Sequence, residues 1–342
     1  NFAMWRKALN VIPEVSKEEW DGLDVISKWL ISTRAAVLVM TFISAALAGL
    51  FAWRDGSFSF LPWLALTFGF ILAHASNNIF NDYTDFVRGV DKDNYYRNIY
   101  GAQPIASGLM TKRQHLTYFA VTALIALAIG LYLIAYTGFS ATTWTLLGLG
   151  AFFLLFYTWP LKGLAMGEIA VLIVWGPLMI GGGHFVLTGE WSWFVVLASL
   201  PYVLGVTTVI FGKHIDKLDM DHKKGIHTLP VVIGEKASRY AVLAMMIAPY
   251  FITAYLIVAK FFTPIMLIVL LAIPTFLQYY PVFLKPKPAT RPEGQPGWPL
   301  YFVGYAFYNN RKFGSLFMFG LLIDVLLRVI PFTAELLKNY WG

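Results

Sequence analysis

A polar stretch decides how the chain is organised: residues 77–92 read Asn77-Asn78-Ile79-Phe80-Asn81-Asp82-Tyr83-Thr84-Asp85-Phe86-Val87-Arg88-Gly89-Val90-Asp91-Lys92. It follows a long apolar run, where acidic side chains are costly unless they have partners. Helical positions three and four residues apart share a face, so a helix here would present Asn78, Asn81, Asp82 and Asp85 together. Such oxygen ligands suit Mg²⁺, which binds one or two carboxylates plus substrate phosphates. The alternative interpretation is an ordinary polar helix end.

The composition is that of a membrane protein. Of the 342 residues, 58% are hydrophobic and only 13% are charged, unlike the usual soluble mixture. The chain has no cysteine, which excludes disulfides and thiolate metal sites.

Apolar segments of bilayer-spanning length predict nine transmembrane helices. They cover residues 35–53, 60–80, 116–136, 142–160, 167–187, 193–213, 238–259, 263–284 and 314–336. Residues 16–31 predict a helix on the membrane surface, with Ser16 and Glu19 at capping-box spacing. We therefore expect an all-α membrane protein with an interfacial segment (1–34) and one nine-helix domain (35–342). That domain includes a long loop at 285–313.

The basic residues are distributed unevenly across the predicted membrane. Of the 26 Lys and Arg residues, 22 fall in the N-terminal segment or in the loops after predicted spans 2, 4, 6 and 8. The positive-inside rule therefore places the N-terminus and these loops in the cytoplasm. The net charge of +7 is explained by this orientation, and we expect no nucleic-acid partner.

A second acidic cluster follows predicted span 6, at the same predicted membrane face. It reads Lys213-His214-Ile215-Asp216-Lys217-Leu218-Asp219-Met220-Asp221-His222-Lys223-Lys224-Gly225. If the helix continues, one face carries Lys213, Asp216, Lys217 and Met220, and Asp219 and Asp221 lie to one side of it. Alone, the cluster could be a solvated helix end. Two facing acidic clusters would repel each other unless a cation lay between them, and Mg²⁺ bridging to a diphosphate would satisfy both.

The surroundings of the two clusters suggest an amphiphilic substrate. Polar and basic side chains near them could bind phosphate oxygens, and the candidates are Asn78, Arg88, Lys92, Arg97, Lys213 and Lys217. The predicted helix bundle is rich in Phe, Trp, Leu and Met and could hold a long apolar tail. A diphosphate head with an apolar tail describes a polyprenyl diphosphate.

Four stretches of the sequence resemble motifs of a known family. The resemblance rests on Asn81-Asp82-x-x-Asp85, on Pro104-Ile105-Ala106-Ser107-Gly108, on the second acidic cluster and on Gly225-Ile226-His227-Thr228-Leu229-Pro230. Together they resemble the UbiA superfamily of intramembrane prenyltransferases, over most of residues 30–285 and 314–336. The resemblance implies nine helices around a central cavity capped by cytoplasmic loops 2–3 and 6–7. It also implies Mg²⁺-dependent transfer of a prenyl group to an acceptor, often aromatic, with release of diphosphate.

Carried onto this chain, the resemblance implies two Mg²⁺ ions. Asn81, Asp82 and Asp85 would hold one, and the acids of residues 216–221 would hold the other. Asp91 is a further candidate ligand, because the Gly89-Val90-Asp91 ending is similar to the menaquinone branch, which prenylates dihydroxynaphthoate. In the second motif the usual aspartate four residues before Asp221 is Lys217. Which of Asp216, Asp219 and Asp221 bind metal stays open. The predicted metal ligands are therefore Asn81, Asp82, Asp85, Asp91, Asp216, Asp219 and Asp221, and of these Asp82, Asp85, Asp216 and Asp219 are the predicted catalytic residues.

The expected chemistry needs a dry pocket, since water would quench an allylic cation. Aromatic faces can stabilise such a cation, and Tyr157 and Trp159 are candidates for contact with the prenyl chain or acceptor. Both could instead be membrane-interface anchors. A chlorophyllide, sugar-phosphate or carotenoid acceptor is an open alternative to an aromatic one. From another class, the chain could be a transporter or a non-catalytic lipid-binding scaffold.

Overall fold

A computed structural model of the protein describes residues 1–90, 103–293 and 298–340. Over these ranges it is all-helical, as predicted. The helices are α1 (Phe2–Asn10), α2 (Lys17–Asp21), α3 (Val25–Ser32), α4 (Val39–Arg54), α5 (Phe60–Val87), α6 (Lys112–Tyr136), α7 (Ala141–Phe156), α8 (Gly167–Thr188), α9 (Trp193–Asp216), α10 (Leu218–Lys223), α11 (Leu229–Val258), α12 (Pro264–Leu284), α13 (Phe302–Val329) and α14 (Pro331–Tyr340).

Several of these helices can cross a membrane. Within the described ranges, seven are long and apolar enough: the segment Ala35–Arg54 that contains α4, and α5, α6, α8, α9, α11 and α12. An eighth candidate is the pair α13 and α14, which is bent by 92° at the break between the helices. The apolar helix α7 is shorter, with 16 residues. The chain is therefore a multi-pass membrane protein.

One compact unit comprises Asn1–Ala46 and Ser59–Leu161. Its helices α5 and α6 pack against each other, and the buried His115 Nε2 of α6 lies 2.8 Å from the carbonyl oxygen of Ile79. The N-terminal helices cover one end of the unit through a buried apolar cluster of Met4, Ala8, Trp20, Leu23, Ile31, Leu109 and Met110. The predicted surface helix is two helices, α2 and α3. Ser16 caps α2 as predicted, and Asp24 interrupts the segment because its carboxylate caps α3.

A second compact unit comprises Leu47–Phe58 and Lys162–Gly342. Helix α9 is its centre and contacts α8, α11 and α13. Helix α9 packs directly against the backbone of α13 at Gly212, where an added Cβ would lie 2.8 Å from the backbone nitrogen of Val303. Around this contact lies a buried apolar cluster of Phe211, Ile215, Val242, Leu243, Met246, Phe283, Phe302 and Ala306.

Three helices differ from the predicted spans in ways that matter for the polar clusters. Helix α5 continues to Val87, seven residues beyond its predicted end, so the first acidic motif is helical. Helix α9 ends at Asp216, and the chain bends at Lys217 (φ −113°, ψ 18°) before the short α10. Helix α13 begins at Phe302 rather than at residue 314, which shortens the predicted loop 285–313.

Candidate active site

The last three turns of α5 bury a polar face. The exposed fractions are 6% for Asn78, 9% for Asn81, 0% for Asp82 and 3% for Asp85. These four residues are called the first acidic cluster below. The four residues share one face because they are three or four positions apart on the helix. Two carboxylates in a membrane helix require compensating partners.

The N-terminal side of the first span supplies two such partners. Arg34 forms an ion pair with Asp82, and the two side chains are 16% and 1% exposed. Asn78 Nδ2 donates a hydrogen bond of 2.8 Å to the carbonyl oxygen of Thr33. Arg34 itself has a left-handed backbone (φ 53°). This turn brings neighbouring backbone and guanidinium groups to the same face of α5.

The first acidic cluster fits one magnesium ion. Its available ligands are all oxygens, and the buried Asn81 Oδ1 accepts no hydrogen bond from any group that the structure describes. In the described parts of the chain, no group of three or more acidic or histidine side chains is arranged for a metal. Two carboxylates with neighbouring amides are nevertheless the small protein contribution that Mg²⁺ uses when phosphate oxygens complete its shell.

Some of the other residues predicted for this site are described by the structure, and the rest lie outside the described ranges. Arg88 lies at the exposed end of α5, with its guanidinium 5.1 Å from the centre of the Trp159 ring. Trp159 is 52% exposed, and Tyr157 is half-buried at the end of α7. The predicted metal ligand Asp91 and the predicted diphosphate-binding residues Lys92 and Arg97 lie outside the described residues. Arg88 and Trp159 are thus brought together as a cation–π pair.

In the second cluster, Asp216 caps a helix distant in sequence. Its Oδ2 accepts the backbone N–H groups of Tyr301 and Val303, at 2.8 and 3.1 Å. Its Oδ1 accepts the N–H of Phe302 at 3.0 Å and lies 3.5 Å from Lys287 Nζ. The first N–H groups of a helix lack partners within the helix, and this carboxylate supplies them for α13. That is why α13 starts earlier than predicted, and it is a different role from the metal ligation predicted for Asp216.

Lys217 and Asp221 form a pair within the same cluster. Lys217 Nζ donates to Asp221 Oδ1 at 2.9 Å, and the side chains are 12% and 1% exposed. Asp219 lies on the exposed side of α10, and Lys213 is half-buried on α9. Because α9 ends at Asp216, the predicted shared face of Lys213, Asp216 and Lys217 does not form.

Several charged residues here escaped the sequence analysis as site residues. Arg34 and Lys287 contact acids 48 and 71 positions away. Within the second cluster, Nδ1 of the buried His214 lies 2.5 Å from Oε1 of the buried Glu168. Arg34 carries a usable signal, since a basic residue at the start of span 1 lies at the predicted membrane level of the acidic motif.

Comparison with known proteins identifies the family. Residues 42–294 match the model of the UbiA prenyltransferase family. The chain belongs to this family. The prediction of a prenyltransferase of the UbiA type is thereby confirmed, and with it membership of a group of transferases.

Curated UbiA relatives differ in how much of their length is matched. The UbiA prenyltransferase domain-containing protein 1 homolog of Drosophila melanogaster is 26% identical over 220 residues, which are 63% of this chain and 59% of that protein. The 1,4-dihydroxy-2-naphthoate octaprenyltransferase of Bacillus subtilis is 25% identical over 298 residues, 85% of this chain and 91% of the relative. A digeranylgeranylglyceryl phosphate synthase of Thermococcus gammatolerans is 29% identical over 187 residues, covering 54% and 60% of the two chains.

Solved structures share the fold. A structure of a digeranylgeranylglyceryl phosphate synthase superposes with a TM-score of 0.61 at 16% identity and covers 88% of this chain and 98% of its own. A UbiA homolog from Archaeoglobus fulgidus, bound to DMAPP and Mg²⁺, gives a TM-score of 0.52 at 15% identity, with 85% and 99% covered. The all-helical architecture is therefore that of UbiA-type enzymes.

Proposed function

We propose that the chain transfers a prenyl group from a polyprenyl diphosphate to an aromatic quinone precursor within the membrane and releases diphosphate. The single observation that carries this proposal is the first acidic cluster. It is a buried set of two carboxylates and two amides on a helix long and apolar enough to span a membrane. Ionisable groups at such positions mark ligand sites when their charge is compensated.

Different residues in and beside this cluster would bind the metal ion and the diphosphate. Asn81, Asp82 and Asp85 would hold Mg²⁺, and Asn78 and Arg88 would contact the diphosphate. When bound, the ion supplies charge neutralisation for the departing diphosphate. Arg34 would orient the Asp82 carboxylate and balance its charge through their ion pair.

The surrounding helices would protect the reactive fragment. An allylic cation survives only where water is excluded, and an aromatic face can lower its energy. Trp159 and Tyr157 stay candidates for this contact, and Arg88 holds Trp159 through the cation–π pair. We further propose that nine helices span the membrane as one domain, with α7 and the α13–α14 pair each counted once. The active site would face the cytoplasm, following the distribution of basic residues.

The acceptor proposal follows from the relatives. The Bacillus relative is matched over 91% of its length, and its name specifies dihydroxynaphthoate as the acceptor. We therefore propose a dihydroxynaphthoate-type aromatic ring for this chain. The Thermococcus relative and the first structural neighbour instead favour a glyceryl phosphate as the second candidate acceptor.

The test is a transfer assay with the purified chain in nanodiscs. Geranylgeranyl diphosphate and Mg²⁺ would be offered with 1,4-dihydroxy-2-naphthoate or with geranylgeranylglyceryl phosphate, and prenylated product and released diphosphate would be measured. We expect product from the naphthoate, and loss of about 100-fold or more in Asp85→Asn, as for other groups that stabilise transition-state charge. The matched control is Asp21→Asn, an exposed acid on α2, which should retain full activity.

The outcomes separate the competing functions. Product only from the glyceryl phosphate would move the acceptor to the second candidate. Tight binding of the prenyl diphosphate with no turnover on any acceptor would favour the lipid-binding scaffold. Equal turnover in Asp85→Asn and the native chain would contradict the proposed site.

A further inference from the structure

The second acidic cluster already contains a cation. Lys217 Nζ donates to Asp221 Oδ1 at 2.9 Å, and both side chains are largely buried. Lys217 stands four residues before Asp221, at the position where the family resemblance leads one to expect an aspartate. The charge that neutralises Asp221 is therefore part of the chain.

Asp216 has no coordination position left for a metal ion. A carboxylate offers about four lone-pair sites. In Asp216 three of them accept the backbone N–H groups of residues 301–303, and the fourth faces Lys287 Nζ at 3.5 Å. A metal ion bound there would have to displace the cap of α13. The role of Asp216 is therefore structural, as the cap of α13.

The remaining acids do not form a magnesium site either. Asp219 points to the exposed side of α10. Asp221 has one buried oxygen, Oδ2, that accepts no hydrogen bond within the described ranges, but its other oxygen is bound to the ammonium. In the first acidic cluster the ion-paired Asp82 is joined by two further buried ligands, Asn81 and Asp85. Among the described acids of the second cluster, Asp221 is the one buried carboxylate that does not cap α13, so a divalent ion there would gain a single carboxylate against the repulsion of the adjacent ammonium. The donor set does not fit the second Mg²⁺ that the sequence predicted.

We infer that this chain uses a single divalent ion, held by the first acidic cluster, and that the Lys217 ammonium supplies the positive charge of the second motif. This inference rests on the proposed function. A lysine ammonium is a compact point charge with three donors, and lysine is a common ligand of phosphate groups. Asp221 fixes the position of the ammonium through their ion pair.

The experiment counts bound Mn²⁺ as a probe of divalent sites. The purified chain in nanodiscs would be titrated with Mn²⁺ in the presence of an unreactive geranylgeranyl thiolodiphosphate, and the free ion would be followed by its EPR signal. Nanodiscs without protein but with the same analogue give the blank. We expect one Mn²⁺ per native chain and none in Asp85→Asn. The Mg²⁺ dependence of turnover should have a Hill coefficient near one.

Two substitutions of the lysine sharpen the test. Lys217→Asp removes the ammonium and adds a carboxylate next to Asp221, so the count should rise to two and the Mg²⁺ dependence should become sigmoidal. Lys217→Met removes only the charge, so the count should stay at one while turnover falls by about 100-fold, as when a donor to a developing anion is deleted.

The possible results distinguish a failure of this inference from a failure of the proposed function. Two Mn²⁺ in the native chain, lost one at a time in Asp85→Asn and Asp221→Asn, would overturn the inference and leave the proposed function standing. A count that stays at one in a folded Lys217→Asp variant would also overturn it. No Mn²⁺ bound to the native chain, together with no turnover, would remove the proposed function and this inference together.

Discussion

Arg34 and Asp82 form a largely buried ion pair between the start of the first span and the first acidic cluster. The pair is reinforced one turn earlier on α5, where Asn78 donates to the carbonyl oxygen of Thr33. The N-terminal segment therefore takes part in shaping the acidic face. An acid at this depth needs a counter-charge before any ligand arrives, and Arg34 provides it.

The first prediction is that Arg34→Met destabilises the protein by about 3 kcal/mol, because removing one partner of a buried ion pair costs about 3–5 kcal/mol and this arginine is partly exposed. Thermal unfolding in detergent would measure the change. Millimolar Mg²⁺ should restore part of the lost stability, since it supplies a cation to Asp82. Arg34→Lys, which keeps the charge, should lie between the two. An unchanged melting temperature in Arg34→Met would contradict the proposed role of the pair.

The second prediction concerns Asp216 as the cap of α13. Loss of a helix cap costs about 0.5–2 kcal/mol, and three backbone N–H groups depend on this carboxylate. We expect Asp216→Ala to lower the melting temperature and, because the start of α13 would fray, to speed cleavage by trypsin at Arg311 and Lys312, neither of which precedes a proline. The exposed neighbour Asp219→Ala should change neither quantity. Equal behaviour of the two variants would argue against the capping role.

The third prediction tests the close packing of α9 on α13. In Gly212→Ala the new Cβ would meet the backbone of Val303 at 2.8–2.9 Å, and backbone cannot rotate away as a side chain can. Overpacking of this kind costs about 1–3 kcal/mol, so the variant should melt at a lower temperature. Gly148→Ala is the matched control, because its added Cβ meets nothing within 4 Å. A native melting temperature in Gly212→Ala would show that the two helices separate at no cost.

The fourth prediction is a pH dependence that originates at Asp55, between the first two spans. Its burial favours the neutral form, but hydrogen bonds from His184 and Arg54 outweigh that effect and hold the pKa of Asp55 below its ordinary value of 3.8. A carboxyl whose pKa is lower in the folded state stabilises the fold above its unfolded-state pKa. That stability is lost as the pH falls from there through the folded-state pKa.

The measurement is the melting temperature between pH 6 and pH 3. Asp55→Asn should melt below the native protein at pH 6, and the difference should shrink as the pH falls below about 4. Glu190→Gln, at an exposed acid after α8, should follow the native curve. A constant difference between Asp55→Asn and the native protein at every pH would contradict the assignment.

Much of the fold could be predicted from local patterns in the sequence. The apolar runs predicted most membrane helices to within a few residues, because a segment's hydropathy and length decide whether it can lie in lipid. The errors lie at helix ends near polar clusters. Helix α13 starts at Phe302 because a carboxylate 86 positions earlier satisfies its first N–H groups, and no pattern within residues 302–313 carries that information.

The sequence by itself determined the polar face of α5, since Asn78, Asn81, Asp82 and Asp85 are related by helical spacing alone. Only the tertiary structure decided what each acid does. Arg34 forms an ion pair with Asp82, Asp216 accepts hydrogen bonds from the first N–H groups of α13, and Lys217 forms an ion pair with Asp221. The physical reason is that a carboxylate's role depends on the charges and donors within about 4 Å of it. In this chain folding brings most of those groups from distant positions.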